Sequence, residues 1–204
     1  MKKTALIIAL FVVVNSVSAQ FTIGPKMGLN ISKEYFGLKG LDEGIDFKAG
    51  FNVGVFGKYE VNHKFDIQAE LLYSQQGFKN NIPLTDYGGT VFLNGYKISS
   101  HYLNIPLVLK YYTLKRLYIE AGPQVGFCLS SKIHPGDKMI EGDFKNDYNT
   151  TDFSLVGGIG ADIGYGLSVN ARYIHGFTDT QKLSNLNVQN RVIQISLAYD
   201  LWDF

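Results

Sequence analysis

Nine charged side chains fall on even-numbered positions of a chain whose odd-numbered neighbours are mostly apolar: Lys26, Lys58, Lys110 and Arg172 against Glu60, Asp66, Glu70, Glu120 and Asp162. Groups of these types can form ion pairs, pass protons or line a path for a solute. The other reactive residues lack the spacing their chemistry needs. His101 follows Ser99 and Ser100, but nothing nearby specifies a base, a nucleophile and an orienting acid, and His175 is equally isolated. The four histidines, His63, His101, His134 and His175, do not have the paired spacing of a zinc site. Cys128 is the only cysteine, which excludes an internal disulfide or a multi-cysteine metal centre and reads as interior packing. Gly158-Ile159-Gly160 and Gly164 do not match a phosphate loop and precede no helix. Asp137, Glu141, Asp143, Asp147 and Asp152 lack calcium-loop spacing and read as a solvated surface loop. No catalytic residue, cofactor or metal is expected.

What positions the charges is an alternation of period two. Apolar residues occupy Phe21 to Ile31, Phe51 to Val61, Phe65 to Tyr73, Leu103 to Tyr111, Leu117 to Leu129, Phe153 to Tyr165, Leu167 to Tyr173 and Ile193 to Leu201 at every second place. Eight strands result, and no segment of comparable length has a helical period. Their connections alternate in length. Ser32 to Phe47, Asn80 to about Asn94, Ser131 to Asp152 and Thr178 to about Asn190 are long; Asn62 to Lys64, Thr113 to Arg116 and Tyr165-Gly166 are short. That order predicts an all-β, antiparallel up-and-down meander with its long loops at one end and its short turns and termini at the other.

The start of the chain has a different character. Met1-Lys2-Lys3 is basic, Ala5 to Val14 is apolar, and Val17-Ser18-Ala19 offers small residues at a cleavage position. We read residues 1–19 as a signal peptide cut after Ala19, and residues 20–204 as one domain. The apolar run is too short for a membrane-spanning helix. Loss of Lys2 and Lys3 takes the basic residues from 19 to 17 against 18 acidic ones, a mature charge of about −1. So balanced a chain carries no electrostatic footprint for nucleic acid.

Alternation alone fits two barrels: a soluble lipid-binding one with the apolar face inward, or a transmembrane one with that face outward. The polar face is rich in glycine, at Gly24, Gly28, Gly54, Gly122, Gly126, Gly158, Gly160 and Gly164, which suits a crowded interior better than a water-facing surface. The apolar face carries aromatics near strand ends, at Tyr59, Phe65, Tyr73, Tyr111, Tyr165 and Tyr173, where interfacial girdles form. The expected fold is therefore an eight-stranded antiparallel up-and-down transmembrane β-barrel. Hydrocarbon forces closure, so the first strand should pair with the last, and the nine charges should plug the lumen as ion pairs.

With these features in place, the chain resembles the outer-membrane β-barrel (porin-like, PorT-like) family common in Bacteroidota. The resemblance rests on Phe21-Thr22-Ile23-Gly24-Pro25-Lys26-Met27-Gly28-Leu29-Asn30, Tyr102-Leu103-Asn104-Ile105-Pro106-Leu107, Gly122-Pro123-Gln124-Val125-Gly126, and Gly157-Gly158-Ile159-Gly160 leading to Arg172-Tyr173. It implies residence among outer-membrane lipids after insertion by the barrel-assembly machinery, and no single shared activity. A structural or interaction role, with a protein partner at the long loops, is the leading expectation. The alternatives are a narrow porin-like channel, a secretion-machinery accessory barrel and the soluble lipid-binding barrel. Phe204 is an aromatic last residue of the kind the assembly machinery reads, yet Trp202 and Phe204 break the odd-numbered apolar series, so a bulge near Asp200 or an exit from the sheet is expected.

Overall fold

In the computed structural model, residues 20–36, 45–80, 84–85, 91–92, 96–135, 142–143, 150–179 and 188–203 are described. The proposed leader, most of the long connections and Phe204 lie outside them. Eight long strands account for most of the described chain: β1 (Phe21–Phe36), β2 (Ile45–Asn62), β3 (Phe65–Asn80), β4 (Tyr96–Tyr112), β5 (Leu117–Pro135), β6 (Thr151–Gly164), β7 (Leu167–Gly176) and β8 (Val188–Tyr199). Each is antiparallel to the next, and β8 returns to β1, so the sheet closes into a barrel. Leu84–Thr85 pairs with Val91–Phe92 in a small separate hairpin, and Gly142–Asp143 adds to β5.

Several strands run beyond their expected limits at the long-loop end. β1 continues to Phe36 and β2 begins at Ile45, both within the segment expected as loop, and β4 begins at Tyr96, ahead of its expected start at Leu103. The extra residues include Ser32, Lys33, Lys48, Ser99 and Ser100, whose polarity ends the apolar alternation while the backbone ladder continues. At the short-turn end, Tyr165 and Gly166 have φ of 55° and 76°, the positive values that a two-residue hairpin matching strand twist requires. Asn62 caps another turn by accepting a 2.9 Å hydrogen bond from the Lys64 N–H.

The stagger follows from register. Stepping across paired residues from Ile31 through Ile193, Tyr173, Gly157, Ala121, Leu109, Ile67 and Tyr59 returns to β1 at Phe21, a displacement of 31 − 21 = 10 residues around eight strands. Strands so staggered tilt by about 40° and enclose an interior that side chains can fill. Odd-numbered residues face outward, with Leu29 at 68% and Ile159 at 64% exposure, while Lys26, Asn52 and Gln68 on the even face are buried.

Inward glycines do two different jobs. At Gly24, Gly54 and Gly122 a Cβ would fall 1.8–2.0 Å from a carbonyl oxygen of the neighbouring strand, so the close curvature of the wall depends on their bareness. Gly160 instead makes room for a ring: its Cβ would lie 2.3 Å from Tyr118 Cζ. The odd-even mismatch at the C-terminus resolves as a bulge. Lys26 pairs with Ala198 but Ile23 with Trp202, which inserts one extra residue on the last strand and turns Trp202 outward.

Replacing Gly160 with Leu is expected to overpack the Tyr118 site and cost about 1–3 kcal/mol. Gly157→Ala, on the outward face with nothing within 4 Å of the new methyl, should be near neutral. Urea unfolding of the two variants in lipid vesicles checks the contrast.

Candidate functional site in the lumen

Halfway along the barrel, four of the nine charges meet. Arg172 on β7 donates from Nε and Nη2 to the Glu120 carboxylate on β5, at 2.7 and 2.8 Å, and from Nη1 and Nη2 to the Glu70 carboxylate on β3, at 2.8 and 2.7 Å. Lys26 on β1 donates to Glu70 Oε1 at 3.0 Å. Two cations and two carboxylates from four strands thus span the lumen with no formal net charge. Gln68 donates to Glu70 and Asn170 to Glu120 Oε1 at 3.0 Å, so amides occupy further lone pairs.

Local sequence explains why the arginine can reach both acids. Gly158 on β6 lies in register between Glu120 and Arg172, and lacks the side chain that would separate them. A Cβ there would stand 3.0 Å from Arg172 Cγ. The planar guanidinium then presents its fork to two carboxylates at once, which a lysine could not do.

The other five charges are distributed below this layer. Lys110 is buried with its ammonium 4.4 Å from the centre of the Tyr118 ring, a cation–π contact. Lys58 pairs with Asp200 at 2.9 Å, a partner on the even face that the nine-residue set omits. Asp66 is buried and Asp162 half-buried, both close enough to act on the Lys58 ammonium. Glu60 is a correction. Although it has inward parity, it lies at the open rim with its side chain half exposed, 3.7 Å from His63, because β2 emerges from the barrel there.

Above the central layer the interior is not wholly polar. Val108, Val156, Ile174 and Val192 form a buried aliphatic cluster inside the barrel, alongside buried Leu72. On β1, β2 and β3 the interior is polar instead: Asn52 donates to Asn30 Oδ1 at 2.8 Å, Asn30 to Ser74 Oγ at 2.9 Å and, nearer the long loops, buried Lys48 to the Gln76 carbonyl at 2.8 Å. Lys48 escaped the sequence reading because it lies between the loop expected to end at Phe47 and the strand expected to begin at Phe51.

The reactive residues considered earlier are kept apart. His101 projects outward, its Nδ1 2.6 Å from the Tyr73 hydroxyl, whereas Ser100 turns inward to Ser131 at 3.0 Å. The two cannot act as base and nucleophile on one substrate. Asp152 belongs to β6 and faces the interior, not a solvated loop; Asp137, Glu141 and Asp147 lie outside the described residues. Cys128 is buried, with Sγ 3.8 Å from the Ser130 carbonyl. Among the described residues, no group of three His, Cys, Asp or Glu side chains could hold a metal ion.

Removal of the guanidinium by Arg172→Met leaves two carboxylates facing each other in a buried layer, and should cost about 3–5 kcal/mol. The double variant Arg172→Met, Glu120→Gln, which keeps the Lys26–Glu70 pair, should recover part of that loss, because the penalty comes from uncompensated charge. Unfolding midpoints of the two variants and the native protein provide the test.

No curated protein matches the chain in sequence. Among solved structures, Neisserial surface protein A is similar at 10% identity and a TM-score of 0.58, over 88% of this chain and 97% of that one. The attachment invasion locus protein of Yersinia pestis aligns at 14% identity and a TM-score of 0.49, over 90% of this chain and 99% of that one. A family model described as the outer membrane protein beta-barrel domain matches residues 15–182, most of the length. With a closed eight-stranded sheet, an apolar outward face and that match, the chain belongs to the outer-membrane β-barrel family, and lies in the lipid of the outer membrane.

Proposed function

We propose that the protein is a non-enzymatic barrel whose lumen is sealed by paired charge, and whose long connections present an interaction surface outside the cell. The observation that carries this reading is the Arg172 guanidinium bridging Glu70 and Glu120 across the middle of the barrel. A continuous water path would have to pass that layer and the aliphatic cluster above it. The four long connections join strand ends on one side of the membrane, which suits them to a protein partner. Fold alone assigns no partner.

Three finer statements go with this proposal. Residues 1–19 are removed as a signal peptide and residues 20–204 form the mature barrel; the barrel-assembly machinery inserts it; and it is kin to the PorT-like barrels of Bacteroidota. The signal-peptide pattern, the even number of strands and the sequence segments around Phe21 to Asn30 and Tyr102 to Leu107 support them.

Reconstituted in a planar bilayer, the native protein should give no stepwise conductance, and Arg172→Ala with Glu70→Ala and Glu120→Ala should open a measurable leak. Sustained steps from the native protein would replace the sealed barrel with the narrow channel. The N-terminal sequence of protein purified from the outer membrane should begin at Gln20; a start at Met1 would refute the cleavage.

A further inference from the structure

Register arranges the outward side chains of β1, β8 and β7 in rows. Met27, Leu197 and Val169 form one, Leu29, Ile195 and Ala171 the next, and Ile31, Ile193 and Tyr173 the third. The fourth breaks the pattern: Lys33, Arg191 and His175 lie directly opposite one another. Three basic residue types therefore cap three apolar rows on adjacent strands, at the outer end of the lipid-facing wall.

Their surroundings keep this row in place. Arg191 donates from Nη1 to the Tyr173 hydroxyl at 3.3 Å and from Nη2 to Gln189 Oε1 at 3.0 Å, contacts the His175 ring, and lies 5.6 Å from the centre of the Tyr35 ring. Lys33 stands 5.7 Å from the Phe47 ring centre, and Phe177 packs on His175 with centroids 4.9 Å apart. Among the described residues, neither Lys33 nor Arg191 forms an ion pair with a carboxylate. Clustered cations flanked by aromatic rings at the interfacial level attract anionic headgroups.

The wall below is shaped for chains. A shallow apolar concavity of about 580 Å³ runs beside Met27, Leu29, Phe51, Val53, Ile195 and Leu197. It lies on β1, β8 and the adjoining β2, below the basic row and toward the membrane interior. Phosphate above and acyl chains below is the complement of this surface.

We propose that the β7–β8–β1 wall is a binding site for a phosphorylated glycolipid of the outer leaflet. Its phosphate is held by Lys33 and Arg191, with His175 beside them, and its acyl chains lie along the concavity beside Met27, Leu29 and Ile195. This goes beyond the sealed-lumen reading and does not depend on it, since the site is on the opposite face of the wall.

The test uses the full-length mature protein in nanodiscs containing diphosphoryl lipid A, with bound lipid counted by native mass spectrometry after mild delipidation. Retention of lipid A should fall at least about tenfold in Lys33→Gln, Arg191→Gln, as expected when two charge-assisted contacts are lost. It should be unchanged in Lys79→Gln, Lys97→Gln, an exposed basic pair in register on β3 and β4. Lys33→Gln alone leaves the contacts of Arg191 intact and should lose part of the retention even if the double variant folds poorly. Dephosphorylated lipid A with the same acyl chains should be retained no better than by the double variant. Equal retention by native and Lys33→Gln, Arg191→Gln protein, equal retention of the dephosphorylated lipid, or an equal loss in the β3–β4 control would each overturn the proposal.

Discussion

In hydrocarbon, no water is available to satisfy a backbone N–H or C=O, and this requirement governs the rest of the molecule. An open sheet would leave two unpaired edges, so β8 must return to β1, as their ladder from Lys26 with Ala198 to Phe36 with Val188 shows. With eight strands and a stagger of ten residues, closure leaves a narrow interior. The wall bends so closely that at Gly24, Gly54 and Gly122 a neighbouring carbonyl occupies the place of a side chain. Interior chemistry is thus set by the space closure leaves.

A narrow interior lined by the polar side of every strand must satisfy its own charges. Arg172 meets this demand by reaching two carboxylates on two other strands, and Lys26, Gln68 and Asn170 occupy remaining acceptor sites on those acids. The arrangement is weak evidence for extra stability, because desolvation offsets much of the attraction. It is stronger evidence about passage, since a solute would have to separate ion pairs held in place from four strands. Outside, the same alternation gives the lipid an apolar wall that ends on β1, β8 and β7 in a row of basic residues. One period of two therefore sets both surfaces.

That period made the fold legible in the sequence. Strand number, order, closure and the inward side of most charged residues follow from parity, and so does the tight turn at Tyr165-Gly166. Parity does not say where a strand leaves the barrel, so Glu60 shares the even face and still emerges at the rim. Neither does it choose among partners: Asp200, not one of the nine, takes Lys58 because the curvature of the wall brings β8 beside β2 across the end of β1. Val108, Val156, Ile174 and Val192 were hidden for another reason, as strands apolar on both faces lose the contrast from which sidedness is read. Strand ends beyond the apolar belt, such as Ser32 to Phe36, look like loop in composition although their ladders persist.

The account depends most on which face meets lipid. Gel mobility of the protein extracted from the outer-membrane fraction, with and without boiling, tests this directly. A closed barrel with its apolar face outward should sediment with the outer membrane and migrate differently before and after boiling. Recovery in the soluble periplasmic fraction, with one mobility under both conditions, would contradict it and turn the apolar face inward.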